Sequence, residues 1–107
     1  MFVKNAEKEY KDLGGGVVRK VLAYSDRLMN VELLFEAGAK GEMHSHPHEQ
    51  IGYVISGSLV FHEEGKTDVT LSEGDSYYVA PNVPHGIDCL TKVKLLDIFT
   101  PAREDFL

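Results

Sequence analysis

Gly38-Ala39-Lys40-Gly41-Glu42-Met43-His44-Ser45-His46-Pro47-His48-Glu49-Gln50 is the stretch from which the rest of the chain is read. In an extended strand successive side chains point to opposite faces, so His44 and His46 share one face, a strand pitch apart, as a chelating pair. Pro47 cannot donate to a sheet ladder and turns the chain. Gln50, at the head of the apolar run Ile51-Gly52-Tyr53-Val54-Ile55, can then swing back toward the two imidazoles. Far along the chain, Val83-Pro84-His85 offers a fourth ligand. His44, His46, Gln50 and His85 together read as a site for one divalent transition metal.

Working outward, turn residues punctuate the chain and no convincing helix interrupts it. Gly14-Gly15-Gly16 closes a mixed, charged N-terminal segment and opens Val17–Tyr24, a β-branched run that reads as a strand. Met29, Val31, Leu33 and Phe35 then alternate with polar residues, with Leu34 as the outer-face exception. Leu59–His62 and Thr67–Leu71 flank a hairpin loop in which Gly65 supplies positive φ. Tyr77–Val79, His85–Leu90 and Val93–Phe99 complete the series. About eight to ten short strands at this spacing describe an all-β sandwich or barrel. One domain is expected over residues 1–107, with an N-terminal arm at 1–15 and a C-terminal tail at 100–107.

Composition narrows the function classes. A chain of 107 residues, 43% hydrophobic, holds one core. The formal charge of -6, with no clustered Lys/Arg run, gives no footprint for phosphate backbones or anionic membranes, so neither nucleic acid nor membrane is an expected partner. No secretory leader and no apolar run of roughly 20 residues is legible, and a cytoplasmic protein is expected. Cys89 is the single cysteine, so any metal must be held mainly by nitrogen and oxygen.

These residues carry a resemblance to the cupin superfamily, whose jelly-roll barrel, the double-stranded β-helix, is built on two short motifs. Gly38, His44, His46, Gln50 and Gly57 match the first motif, with Gln50 in place of its acid. Gly74, Ala80, Asn82, His85 and Cys89 align with the second, where Ala80, Asn82 and Cys89 replace the usual Pro, Gly and Asn. Asn82 suits a glycine position because Asn enters the left-handed region more readily than other residues bearing a side chain. The exchange of acid for Gln50 matters chemically. Three imidazoles and one amide leave a metal its full charge, which favours a Lewis acid over an oxygen-activating redox centre. Zn, Ni, Mn, Fe or Co would each suit such ligands.

The last strand adds an acid to an apolar face, since Val93, Leu95, Asp97 and Phe99 point the same way. Asp97 there reads either as a proton-transfer group or as a buried carboxylate satisfied by backbone donors. Arg103, just past Pro101, reads either as a grip on a substrate carboxylate or as part of a solvated tail. His48 and His62 are expected to be surface or structural histidines, and Cys89 a buried, inert thiol.

The segment Asp97-Ile98-Phe99-Thr100-Pro101-Ala102-Arg103-Glu104-Asp105-Phe106 is similar to the end of the small cupins of pectin and alginate breakdown that convert unsaturated monouronates to linear keto forms. The resemblance implies Asp97 as the proton-transfer residue, Phe99 as a pocket wall and Arg103 as the carboxylate anchor. It also implies a ligand set of three His and one Gln. One departure is Gly52, where that subgroup carries a further Gln. The expected function is therefore a metal-dependent isomerase or tautomerase of a small carboxylated sugar, binding a small anionic ligand. A non-catalytic metal- or ligand-binding module and a metal-dependent dioxygenase are the alternatives. The arm, lacking a core of its own, is expected to pair with a second copy in a homodimer.

Overall fold

The computed structural model describes residues 1–107 and contains ten strands. They are β1 (Lys11–Gly14), β2 (Val17–Tyr24), β3 (Met29–Phe35), β4 (Lys40–His44), β5 (Glu49–Ser56), β6 (Ser58–Glu63), β7 (Val69–Ser72), β8 (Ser76–Val79), β9 (His85–Cys89) and β10 (Val93–Thr100). One sheet runs β1-β2-β3-β10-β5-β8 and the other β4-β9-β6-β7. All pairings are antiparallel. This is the all-β architecture expected from the strand spacing, in the jelly-roll form that the resemblance implies.

The period-two pattern decides what each sheet buries. In β10, Val93, Leu95, Asp97 and Phe99 are buried while Lys94, Leu96 and Ile98 are only half-buried. Val54, Val79 and Leu95 from the larger sheet meet Leu59 and Phe61 from the smaller one in a shared core. Full burial of each such aliphatic side chain contributes about 1.5–3 kcal/mol. The last strand lies between β3 and β5, so Asp97 pairs with Val31 on one side and Gly52 on the other. That placement carries the acid to the middle of the larger sheet, over the inner faces of both.

Within the chain, Lys11–Gly14 of the N-terminal segment pairs with β2 and forms one edge of the larger sheet. Residues ahead of it serve Glu32, a carboxylate only 3% exposed. Asn5 Nδ2 donates to Glu32 Oε1 at 3.0 Å, the Tyr10 hydroxyl donates to Oε2, and Lys94 Nζ lies 3.5 Å from Oε1. Lys20 closes the group by donating to Asn5 Oδ1 at 2.9 Å and lying over the Tyr10 ring. A buried charge is costly unless paired, and the arm supplies that pairing.

The C-terminal tail returns to the barrel. Ala102 N–H donates to the Asp26 carbonyl at 3.0 Å, and a 3-10 turn over Glu104–Phe106 sets Phe106 edge-on to Phe99, 5.6 Å between centroids. No helix is long and apolar enough to cross a membrane.

Candidate metal centre

His44 ends β4 and His85 begins β9, and the two are direct cross-strand partners in the smaller sheet. Gln50 comes from β5 in the larger sheet. His46 differs from its expectation: the strand stops at His44, and His46 sits in the connection that crosses from one sheet to the other. Pro47 and the need to change sheets end the ladder there, so crossing geometry, not strand parity, brings His46 beside His44. Asn82, with φ 65°, donates its N–H to the His46 carbonyl at 2.7 Å and pins the loop before His85 to the loop that carries His46.

Ligand-capable atoms of His44, His46 and His85 all lie within 4.8 Å of one another. Gln50 Oε1 stands 2.9 Å from His46 Nε2 and 3.2 Å from His85 Nε2. Each imidazole turns Nδ1 to a backbone carbonyl two residues away: His44 to Glu42 at 2.7 Å, His46 to His48 at 3.1 Å and His85 to Val83 at 2.9 Å. A carbonyl only accepts, so Nδ1 must carry the proton in all three rings. Nε2 is then a bare lone pair in each, and acceptors face acceptors across the centre. Backbone carbonyls that fix the tautomer in this way are the usual support of metal-bound histidine. Burial also holds the His46 and His85 pKa values down, His85 to about 4, which keeps both rings neutral. The donor set fits a divalent cation with nitrogen and oxygen preference.

Around this centre the other sequence-read residues assemble. Phe99 stands edge-on to His46, 5.7 Å between centroids. Asp97 is 7% exposed, and burial pushes its carboxyl up to about 6 against hydrogen bonds from Gln50 and Tyr77 and the fields of His44 and Arg103. Arg103 lies over Phe99 and, at 4.4 Å, over Phe106. Its Nε and Nη2 donate to Asp105 at 3.0 and 2.9 Å, a bidentate pairing not anticipated from sequence. A cavity of about 470 Å³ is lined by His44, Gln50, Asp97, Phe99 and Arg103 and reaches Gly14 and Lys40.

A family model for the cupin domain matches residues 31–99. The chain is a cupin. It is 41% identical over 103 residues to the pectin degradation protein KdgF of Dickeya dadantii, covering 94% of this chain and 93% of that one. The solved structure of KdgF from Halomonas superposes with a TM-score of 0.95 at 36% identity, covering all of this cupin and 98% of its relative. An RmlC-like cupin from Shewanella frigidimarina also gives 0.95, at 40% identity, over 99% of this chain and 95% of that one.

Two residues of this cupin's cavity went unnoticed in the sequence. Arg19 shares a face of β2 with Val17, lines the cavity, and lies 3.8 Å from the centre of the Phe106 ring, with no carboxylate bonded to it. Tyr77, opposite Gly52 in β8, donates its hydroxyl to Asp97 Oδ1 at 3.0 Å. Strand parity was the available signal for both. His48 approaches His46 and Phe99 edge-on but stays outside the converging nitrogens. His62 is held on the outer surface between Asp68 at 2.8 Å and Asp88 at 2.7 Å. Cys89 is buried outside the cluster, and burial pushes its thiol up to about 11.

Proposed function

We propose that this cupin is a metal-dependent isomerase that opens an unsaturated monouronate to its linear keto form. The observation that carries the reading is Asp97, a carboxyl buried beside three convergent imidazoles and facing a cavity with two guanidiniums. The similarity to proteins named for pectin degradation supports the choice of substrate class. We place the activity in the cytoplasm, in keeping with one reduced cysteine and no disulfide.

His44, His46, Gln50 and His85 would hold the ion, one of Zn, Ni, Mn, Fe or Co. When bound, it supplies Lewis acidity toward a substrate oxygen. Arg103 offers its free Nη1 donors to the substrate carboxylate, since Asp105 occupies only the Nε–Nη2 edge. Arg19 adds a second, uncommitted cation. Phe99 and Phe106 form an apolar wall against which the sugar ring packs. Asp97 takes a proton from the anomeric hydroxyl as the ring carbon–oxygen bond breaks, leaving an aldehyde and an enolate. It then delivers that proton to the former alkene carbon as the enolate electrons form the carbon–oxygen double bond of the ketone. Atoms balance throughout, as an isomerisation requires.

Purified, metal-loaded protein mixed with an unsaturated uronate should accelerate loss of the conjugated absorbance, and a chelator should abolish the acceleration. A rate equal to that without protein would leave a ligand-binding module in place of an enzyme.

A further inference from the structure

Gly52 occupies the middle of one row of the larger sheet, paired with Asp97 of β10 on one side and Tyr77 of β8 on the other. Its φ lies outside the left-handed range, so backbone conformation gives no reason for a glycine here. The reason is space. A Cβ at position 52 would stand 2.1 Å from Tyr77 Cζ and 2.5 Å from its hydroxyl oxygen. The phenol therefore lies across the bare backbone of β5, where any side chain at position 52 would exclude it.

Three further contacts fix the ring in that passage. Phe61, from the opposite sheet, stacks on Tyr77 at 4.4 Å with 17° between planes. Gln50 Nε2 donates to the phenol oxygen at 3.5 Å, and the phenol donates to Asp97 Oδ1 at 3.0 Å. The Gln50 amide thus faces His46 and His85 with its oxygen and Tyr77 with its nitrogen.

We propose that Gly52 and Tyr77 form one unit that positions Asp97. The absent side chain opens the passage, and the phenol passes through it to fix one carboxyl oxygen of Asp97. Tyr77 is a positioning residue; it reaches the reacting atoms through Asp97. The catalytic consequence rests on the isomerase reading, whereas the geometric coupling of Gly52, Tyr77 and Asp97 does not.

The test combines Gly52→Ala, Tyr77→Ala, Tyr77→Phe and the Gly52→Ala/Tyr77→Ala double variant, read by thermal unfolding, carboxyl ¹³C NMR and steady-state kinetics. Gly52→Ala should depress Tm sharply in the parent chain and little in the Tyr77→Ala background. Equal depression in both, or a double variant that fails to fold, overturns the passage. The Asp97 carboxyl resonance, assigned by its loss in Asp97→Asn, should move in Tyr77→Phe; coincidence with the parent overturns the positioning role. With an unsaturated uronate, Tyr77→Phe should lower kcat at least about tenfold, the scale of a lost hydrogen bond to a charged group, with KM within about twofold. Unchanged kcat in an active parent also overturns the role. A parent without turnover, combined with a moved resonance and a coupled cycle, removes the isomerase reading and leaves the unit standing.

Discussion

Gln50 Oε1 stands 2.9 Å from His46 Nε2, a nitrogen left bare because the proton of that ring is directed to the His48 carbonyl. Two acceptors held this close call for a cation between them, and the same relationship recurs between Gln50 and His85 at 3.2 Å.

Metal loading should therefore stabilise the fold. A ligand at a hundredfold excess over its Kd adds about 2.7 kcal/mol, which raises Tm by several degrees or more in a chain of this size. Elemental analysis should find one ion per chain, and His44→Ala or His85→Ala should lose both the ion and the chelator-sensitive part of Tm. Full metal content in both variants would contradict the assignment.

Arg19 and Arg103 should bind substrate without taking part in the bond changes. Replacing either by Ala should raise KM by about tenfold or more, the scale of a charge-assisted hydrogen bond, and leave kcat within a few fold. Arg103→Lys should not restore the parent KM, because an ammonium lacks the planar fork and the stack on Phe106.

Sequence reading reached the fold and most of the site for definable reasons. The alternation in Val93–Phe99 exposed Asp97 as an acid on an apolar face, and the His-rich stretch marked the candidate centre, although the crossing between sheets and not strand parity sets His46 beside His44. Gly52 was legible as a departure, but its partner was not, because Tyr77 becomes its neighbour only through the β5–β8 register. Arg19 was hidden similarly: its meaning depends on Phe106, 87 positions away along the chain, returning to the barrel mouth. The burial of Glu32 was hidden too: alternation alone places it on the outer, solvated face, and it is buried there where Asn5 and Tyr10 of the N-terminal segment bond it.

That last arrangement carries a stability prediction. Tyr10→Phe removes one donor to the buried Glu32 carboxylate and should cost about 1–3 kcal/mol, read from denaturant unfolding. An unchanged midpoint would show that the arm does not serve Glu32.

His62 should make stability depend on pH. Hydrogen bonds donated to Asp68 and then to Asp88 raise its pKa above the ordinary value. The folded state then binds the proton more tightly than the unfolded one, so the contribution is complete below the unfolded pKa of about 6.5 and is lost as pH rises through the raised folded value. The stability difference between the parent chain and His62→Gln should shrink as pH rises from about 5 to about 9. A difference that grows with pH would contradict the ion-pair account.

We propose that the chain forms a homodimer. The larger sheet ends in two edge strands, β1 and β8, and beside β8 Ile51, Tyr53 and Tyr78 are exposed on the outer face. Light scattering at micromolar concentration should give twice the chain mass; a monomer mass would remove the proposal.

The central claim is that Asp97 delivers a proton to carbon beside a bound metal. Conversion of an unsaturated uronate in D₂O, followed by ¹H NMR, tests it most directly. The metal-loaded parent should place deuterium on one face of the former alkene carbon, and Asp97→Asn at equal metal content should show only the slow, mixed labelling seen without protein. Asp97→Asn turning over at the parent rate with the same single-face label would contradict the account.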